Sequence, residues 1–192
     1  MMKNEQEIVK TIAEDEWMLE VLQAAAELEL PDWWVCAGFV RSKIWDVLHG
    51  YSTRTALGDI DVIYFDEENC KEAQEKGYER RLNRAFPGLP WSVKNQARMH
   101  EVNDLPPYKS SVDAISQFPE TATALGLRLN GCSEMELAAP HGLTDLLTMR
   151  IRPTPAFRKD ARLMNVYEQR LLTKQWTQKW PKVEIVPLQG MA

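Results

Sequence analysis

The sequence predicts an α/β (α+β) domain built on a mixed β-sheet with flanking helices. Two observations carry that prediction. Short β-branched or aromatic runs alternate with longer stretches of helical spacing. The connections between the first strands are longer than a hairpin and allow parallel neighbours there, whereas "LRLNGCSEMEL" reads as an antiparallel pair around a tight turn. At 192 residues with 44% hydrophobic content, the chain can bury one core. It divides into an N-terminal helix (1–30), a central core (33–150) and a helical, basic C-terminal extension (154–192).

Residues 5–30 place Ile8, Ile12, Leu19, Leu22 and Ala26 at helical spacing before Pro31 and Asp32, which predicts one long amphipathic helix. "WWVCAG" (33–38) reads as a buried strand running into a glycine turn. Val40, Ile44, Val47 and Leu48 then repeat as one helical face, with Gly50 as the stop. "YSTRTALG" is a polar loop and "DIDVIYFD" a second strand. Residues 67–86 form a charged helix closed by "PGLP", and "WSVKNQ" is a third strand. "LGLRLN" and "EMELAAP" are two more strands flanking "GCS", and "HGLTDLLTM" is a short helix. Beyond Pro153 and Pro155, residues 156–174 carry helical spacing, and "WPKVEIV" is a last strand or an extended tail.

The net charge of -5 excludes wholesale coating of a nucleic acid, but the charge is unevenly spread. Residues 1–32 hold two lysines against nine acids. Residues 150–182 hold nine Lys/Arg against Asp160 and Glu168, so a polyanion would dock only on the C-terminal region. Cys36, Cys70 and Cys132 are far apart, with no CxxC pair and no histidine at zinc-finger spacing, which fits a reduced cytoplasmic setting. The N-terminus lacks an apolar h-region and no apolar run approaches ~18 residues, so a soluble, untargeted protein with no membrane partner is expected.

The sharpest local feature is "LGDIDVIYF", where Asp59 and Asp61 lie on one face of the strand, roughly 6–7 Å apart by strand rise. Two anions so placed repel unless a cation sits between them. Hard divalent ions favour such oxygen donors, with substrate phosphates completing the shell, so the pair predicts a site for Mg²⁺ (or Mn²⁺) and a nucleotide. An isolated DxD is equally a solvated strand face. What separates the two here is the strand, glycine turn and helix just upstream, because a helix start offers free N–H groups and a positive dipole end to phosphate.

Together "WWVCAGFVRSKIWDVL" and "DIDVIYFD" resemble the nucleotidyltransferase superfamily of DNA polymerase β-like fold. The blocks "WSVKNQARMH", "FPETATALGLRL", "AAPHGLTDLL" and "WP" extend the resemblance across roughly 30–183. They look like a bacterial family of uncharacterised nucleotidyltransferase-like proteins related to the head domain of tRNA CCA-adding enzymes. The resemblance implies that 33–150 is the catalytic core, with Asp59 and Asp61 as catalytic metal-binding acids. It implies a phosphate-facing turn at Gly38 and Phe39, with Arg41 reaching a triphosphate oxygen. Ala37 stands where the family's first glycine is usual, and Phe39 where serine or glycine often follows. A third carboxylate is expected on a neighbouring strand, yet "WSVKNQARMH" offers Lys94 and Asn95; Asp113 and Glu136 are the alternatives.

"KNQARMH" is dense in polar groups, so Lys94, Asn95 and Arg98 are candidate nucleotide-binding residues, and His100 a candidate base or ligand contact. A hydrogen-bonded polar face is the competing account. His49 is read as a helix C-terminal group, His141 as part of a turn, and Asp145 as a structural tether to Arg150 or Arg152. Trp33, Trp34 and Trp45 are read as core. Trp176 and Trp180, among Lys174, Lys179 and Lys182, either stack a base or pack a C-terminal tail.

These features predict a metal-dependent nucleotidyltransferase that moves a nucleoside monophosphate from a nucleoside triphosphate to an acceptor hydroxyl on a small molecule, a protein or a short RNA. DNA is not expected. The missing third acid motivates a non-catalytic nucleotide-binding or regulatory module as the alternative. A glycosyltransferase is disfavoured, since the ~58 residues before Asp59 can hardly hold the nucleotide-binding half that usually precedes its DxD.

Overall fold

In the computed structural model, which describes residues 2–187, the acidic N-terminal segment forms two helices rather than one. Asn4 caps α1 (Glu5–Ala13) by accepting the Glu7 N–H, and Asp15 caps α2 (Glu16–Ala26) by accepting the Met18 N–H. The apolar period runs through the break, which hides it. Asp15 has a further reason to sit outside a helix: its carboxylate bridges Lys43 at 2.8 Å and Arg54 at 2.7 Å.

β1 (Trp34–Cys36) leads through Ala37 into α3 (Gly38–His49), and Gly50 ends that helix in the left-handed conformation. β2 (Ile60–Tyr64) pairs antiparallel with β1, with Cys36 opposite Asp61. α4 (Glu72–Ala85) returns the chain to β3 (Trp91–Asn95), which lies parallel to β2 with Ser92 opposite Asp61. α5 (Gln96–Met99) and α6 (Ser111–Ser116) follow, and then β4 (Gly126–Leu129) and β5 (Met135–Ala138) form the expected antiparallel pair. The sheet order is β3-β2-β1-β4-β5. The allowance for parallel neighbours among the first strands is met at β2–β3 but not at β1–β2. The 12 residues of α3 carry the chain about 18 Å, and the loop over 50–59 runs back again, so β2 starts where β1 ends.

One sheet face carries Val35, Ile60, Val62, Val93 and Leu127 into the main core beneath the helices. The other carries Trp34, Cys36 and Ile63 into a smaller cluster covered by Ile115 of α6. Asp61 shares this second face.

α7 (Thr144–Leu147) and β6 (Arg150–Ile151) lead to the C-terminal helices, which also divide. α8 (Pro155–Lys159) ends at Asp160, and Asp160 then caps α9 (Ala161–Lys174) by accepting the N–H groups of Arg162 and Leu163. α10 (Trp176–Lys179) precedes β7 (Glu184–Ile185), which pairs parallel with β6, so "WPKVEIV" does supply a strand. Among the described residues no helix is long and apolar enough to cross a membrane.

Candidate nucleotide and metal site

The turn between β1 and α3 is the first component. Ala37 adopts φ 53° and ψ −114°, the first central position of a type II′ turn, where glycine is usual. Its N–H is fixed to the Leu125 carbonyl at 2.9 Å and its carbonyl accepts the Arg41 N–H at 3.0 Å, so the strained backbone is held from both sides. Ala37→Gly should therefore stabilise the fold by about 1 kcal/mol, the relief of strain less the added freedom of the unfolded chain. Denaturant unfolding measures this, and a loss of stability would show that position 37 stores no strain.

No side chain caps the start of α3, so the first N–H groups at Gly38 and Phe39 face outward with the positive end of the helix dipole. A Cβ added at Gly38 would meet only Nη2 of Arg41 at 3.6 Å, an ordinary contact. Neither packing nor backbone conformation requires glycine there. The bare backbone suits the close approach of an anion. The Phe39 ring lies in the core, 6.1 Å from Trp17, so only its backbone is available to a ligand.

Arg41 is not the surface cation that its polarity suggests. It is 8% exposed, and its guanidinium stacks over the rings of Trp45, Trp176 and Trp180 at 5.2, 5.3 and 5.6 Å. Trp176 and Trp180 are thus walls of this cage rather than platforms for a base. Nη2 donates to Ser42 Oγ at 3.4 Å, while Nε has no partner among the described residues. Burial pushes the Arg41 pKa down to about 10, partly countered by Glu120, so the group stays cationic at neutral pH. A buried cation with an unmet donor favours an anionic ligand.

The acid pair is the second component. Asp59 lies just before β2 and Asp61 within it. Continuing the β1–β2 register by two residues sets Gly38 level with Asp59, so the turn and the acids occupy one end of the sheet. Burial and then the neighbouring Asp59 push the Asp61 carboxyl up to about 6, against a hydrogen bond from Ser92 and the more distant cations Lys174 and Arg170. Neither acid has an ion-pair partner within 4.0 Å among the described residues. Two oxygen donors in mutual repulsion, one already desolvated, could hold a hard divalent cation such as Mg²⁺ or Mn²⁺.

The C-terminal helices supply the third component, which the sequence showed only as a basic segment. Arg170 of α9 grips Glu120 through Nε at 2.6 Å and Nη2 at 3.2 Å. Glu120 is 0% exposed and also accepts from Thr123 Oγ1 at 2.7 Å. Glu120 and Arg170 were not singled out from sequence, and Lys174 only as a cation beside Trp176. The signal available was a lone acid in "FPETATALG" and cations at helical spacing in the basic extension.

The polar residues of β3 and α5 gather elsewhere. Glu75 of α4 is buried and accepts from Arg98 at 2.8 and 2.6 Å, from the Asn95 N–H at 3.0 Å and from Lys94 at 3.4 Å. Burial alone would raise the Glu75 pKa, but these partners outweigh it and hold the carboxyl below its usual range. Asn95 caps α5 and closes the 66–69 turn by donating to the Asp66 carbonyl at 2.7 Å. Asn95 lies three residues along β3 from Ser92, about 10 Å further up the parallel pair. The hydrogen-bonded polar face therefore accounts for Lys94, Asn95 and Arg98, and the structure does not bring them to the acid pair. His100 packs its ring 6.0 Å from Tyr108, in the segment after β3.

The two alternatives for a third acid are both engaged locally. Asp113 accepts the Lys109 N–H at 2.9 Å, and Glu136 pairs with Arg128 at 2.6 Å on the β4–β5 ladder. Among the described residues no three His, Cys, Asp or Glu groups converge as a metal cluster. Asp145 is the expected tether, pairing with Arg152 at 3.3 Å. His49 bridges the Trp45 carbonyl and the Lys182 N–H, and His141 meets the Ser116 carbonyl.

A family model described as "Nucleotidyltransferase" matches residues 23–185, which is most of the chain. The chain belongs to this nucleotidyltransferase family. A solved structure described as revealing "a CCA-adding enzyme head domain" is 38% identical, covers 98% of both chains and superposes with a TM-score of 0.88. The Thermotoga maritima CCA-adding enzyme complexed with tRNA is 17% identical with a TM-score of 0.55, and a CCA-adding enzyme with CTP is 15% identical with a TM-score of 0.58. Each covers 97% of this chain but only 44% of its own length is matched, so the chain spans under half of those enzymes and shares their fold. A search of the curated proteins finds no match. Membership accounts for the mixed sheet and for the strand, turn and helix that precede the two aspartates.

Proposed function

We propose that this nucleotidyltransferase-family protein is a metal-dependent enzyme that transfers a nucleoside monophosphate from a nucleoside triphosphate to an acceptor hydroxyl. The observation that supports it most is the convergence, at one end of the sheet, of Asp59 and Asp61 with the uncapped start of α3 and the Arg41 guanidinium, whose Nε has no partner among the described residues. A bound Mg²⁺ or Mn²⁺ would neutralise charge on the phosphates and on the acid pair. The chain's own groups bind and orient. Backbone N–H groups at Gly38 and Phe39 would hold phosphate oxygens, Arg41 would hold another, and the paired acids would fix the α-phosphate opposite the incoming hydroxyl. The acceptor oxygen forms a bond to the α-phosphorus, the bond from that phosphorus to the β-bridging oxygen breaks, and pyrophosphate leaves with the displaced electron pair. The hydroxyl proton passes to water or to one of the two acids.

Similar folds bind CTP, ATP and tRNA in the CCA-adding enzymes, which makes a nucleoside triphosphate the natural donor. The acceptor hydroxyl lies on a small molecule, a protein or a short RNA. A second reading, a nucleotide-binding module without turnover, is favoured by the local engagement of Asp113 and Glu136.

Incubation with each α-labelled nucleoside triphosphate and Mg²⁺ or Mn²⁺, with and without cell extract, separates the two. Transfer of label to an acceptor with release of pyrophosphate supports the enzyme; binding without release supports the module. Gly38→Ala sharpens the test, because the added methyl is tolerated by the fold yet occupies the phosphate approach. It should leave thermal stability unchanged or higher while weakening nucleotide binding by about tenfold or more. Unchanged nucleotide affinity would place the phosphates elsewhere.

A further inference from the structure

Charge on this sheet end comes in two separated sets. Asp59 and Asp61 lie on β2 and the turn before it, whereas Arg41, Arg170 and Lys174 come from α3 and α9. The cations lie close enough to act on the acids electrostatically, yet none forms an ion pair with either one among the described residues. Opposed charges held near but apart leave room for a species that is positive toward the acids and negative toward the cations. A metal-bound polyphosphate has that polarity.

The C-terminal part of α9 is fixed to this position by two contacts. Arg170 is anchored along one edge by the fully buried Glu120, which leaves Nη1 and the second Nη2 proton to donate elsewhere. Lys174 closes the helix, and the next turn plants Trp176 on the Arg41 guanidinium at 5.3 Å. The two cations are one helical turn apart, on one face.

Resting on the nucleotidyl-transfer reading, we propose that α9 is a wall of the nucleotide site. Arg170 and Lys174 bind the β- and γ-phosphates, and Glu120 is the positioning residue that holds Arg170 toward them. The basic C-terminal extension then serves a bound triphosphate rather than a nucleic-acid backbone. α9 selects triphosphates over monophosphates, and its pyrophosphate contacts persist after transfer, so it also bears on product release.

Calorimetric titration of the full chain with ATP, AMP and inorganic tripolyphosphate, each with Mg²⁺, tests this. The parent should bind ATP and tripolyphosphate more tightly than AMP. Lys174→Met, which removes no ion pair among the described residues, should weaken ATP and tripolyphosphate by about 10- to 100-fold and leave AMP unchanged, the range for deleting one charged hydrogen-bond partner. Arg170→Met should act alike, though it also orphans Glu120 and lowers the thermal midpoint. Glu120→Gln keeps both cations but loosens Arg170, and it should reduce the ATP-to-AMP affinity ratio. A purely structural role would weaken ATP and AMP together. If Lys174→Met and Arg170→Met leave that ratio at its parental value while Asp61→Asn still abolishes ATP binding, α9 is scaffold and the nucleotide site stands without it. If the parent binds neither ATP nor tripolyphosphate, both the wall and the underlying reading are overturned.

Discussion

Asp61→Asn should make the protein more stable at neutral pH and inactive in the same step. In a divalent-free buffer, burial and the facing Asp59 raise the Asp61 carboxyl to about 6 from an ordinary 3.8. A folded-state pKa above the unfolded value means that the native state holds the proton more tightly between those pH values. Folding stability therefore declines as pH rises from about 4 through 6, and the full cost is present at pH 7. The shift corresponds to about 3 kcal/mol, reduced to roughly 2 kcal/mol for the part of Asp61 that solvent reaches. Asparagine keeps the shape without the charge. Chelator-containing denaturation should show no gap between parent and variant near pH 4 and a gap of about 2 kcal/mol, in the variant's favour, at pH 7. Added Mg²⁺ should stabilise the parent and not the variant. Nucleotidyl transfer should fall by at least about 10²-fold. A gap that stays constant between pH 4 and 7 would remove repulsion within the pair as the source of strain.

That trade of stability for a charged site is why the acid pair was legible in sequence. A strand reading Ile60, Val62 and Tyr64 into the core gains no packing from two aspartates on its other face, and it is the strand, turn and helix upstream that set the pair apart from a solvated strand face. The strand, turn and helix around Gly38 were legible for the same reason, being local patterns of a few residues. Features that depend on distant partners were not. The helix breaks at Asp15 and Asp160 are N-caps embedded in an unbroken apolar period, and each is fixed by residues far along the chain or by the following turn. Lys94, Asn95 and Arg98 looked like ligand contacts because their partner, Glu75, lies on α4 some 20 residues earlier. Arg41 and Trp176 are 135 positions apart in sequence, so neither the cage nor the loss of Trp176 as a base platform was visible from spacing.

Asp46 shows how the distant C-terminal segment is coupled to the acids. It is 4% exposed and forms no ion pair among the described residues. It accepts the Trp180 indole N–H at 2.7 Å, the Thr55 N–H at 2.9 Å and the Thr55 hydroxyl at 2.6 Å. One carboxylate thereby ties α3 to the loop that delivers Asp59 and to a wall of the Arg41 cage. Asp46→Ala leaves three donors without an acceptor, the Trp180 indole N–H in the interior and two part-buried donors of Thr55, and should destabilise by about 3–5 kcal/mol. For a chain of this size that lowers the thermal midpoint by roughly 6–20 °C. Asp46→Asn retains one oxygen but turns an amide toward one set of donors, so it should fall between Ala and the parent. The coupling predicts more than lost stability. At a temperature where the Asn variant remains folded, both the Arg41 cage and the Asp59 loop are loosened, so affinity for Mg²⁺-ATP should fall although Asp46 touches no ligand. Tryptophan fluorescence follows the Trp180 environment and titration follows the nucleotide. A variant that loses the Trp180 hydrogen bond yet binds nucleotide as tightly as the parent would show that the cage and the acid pair are independent.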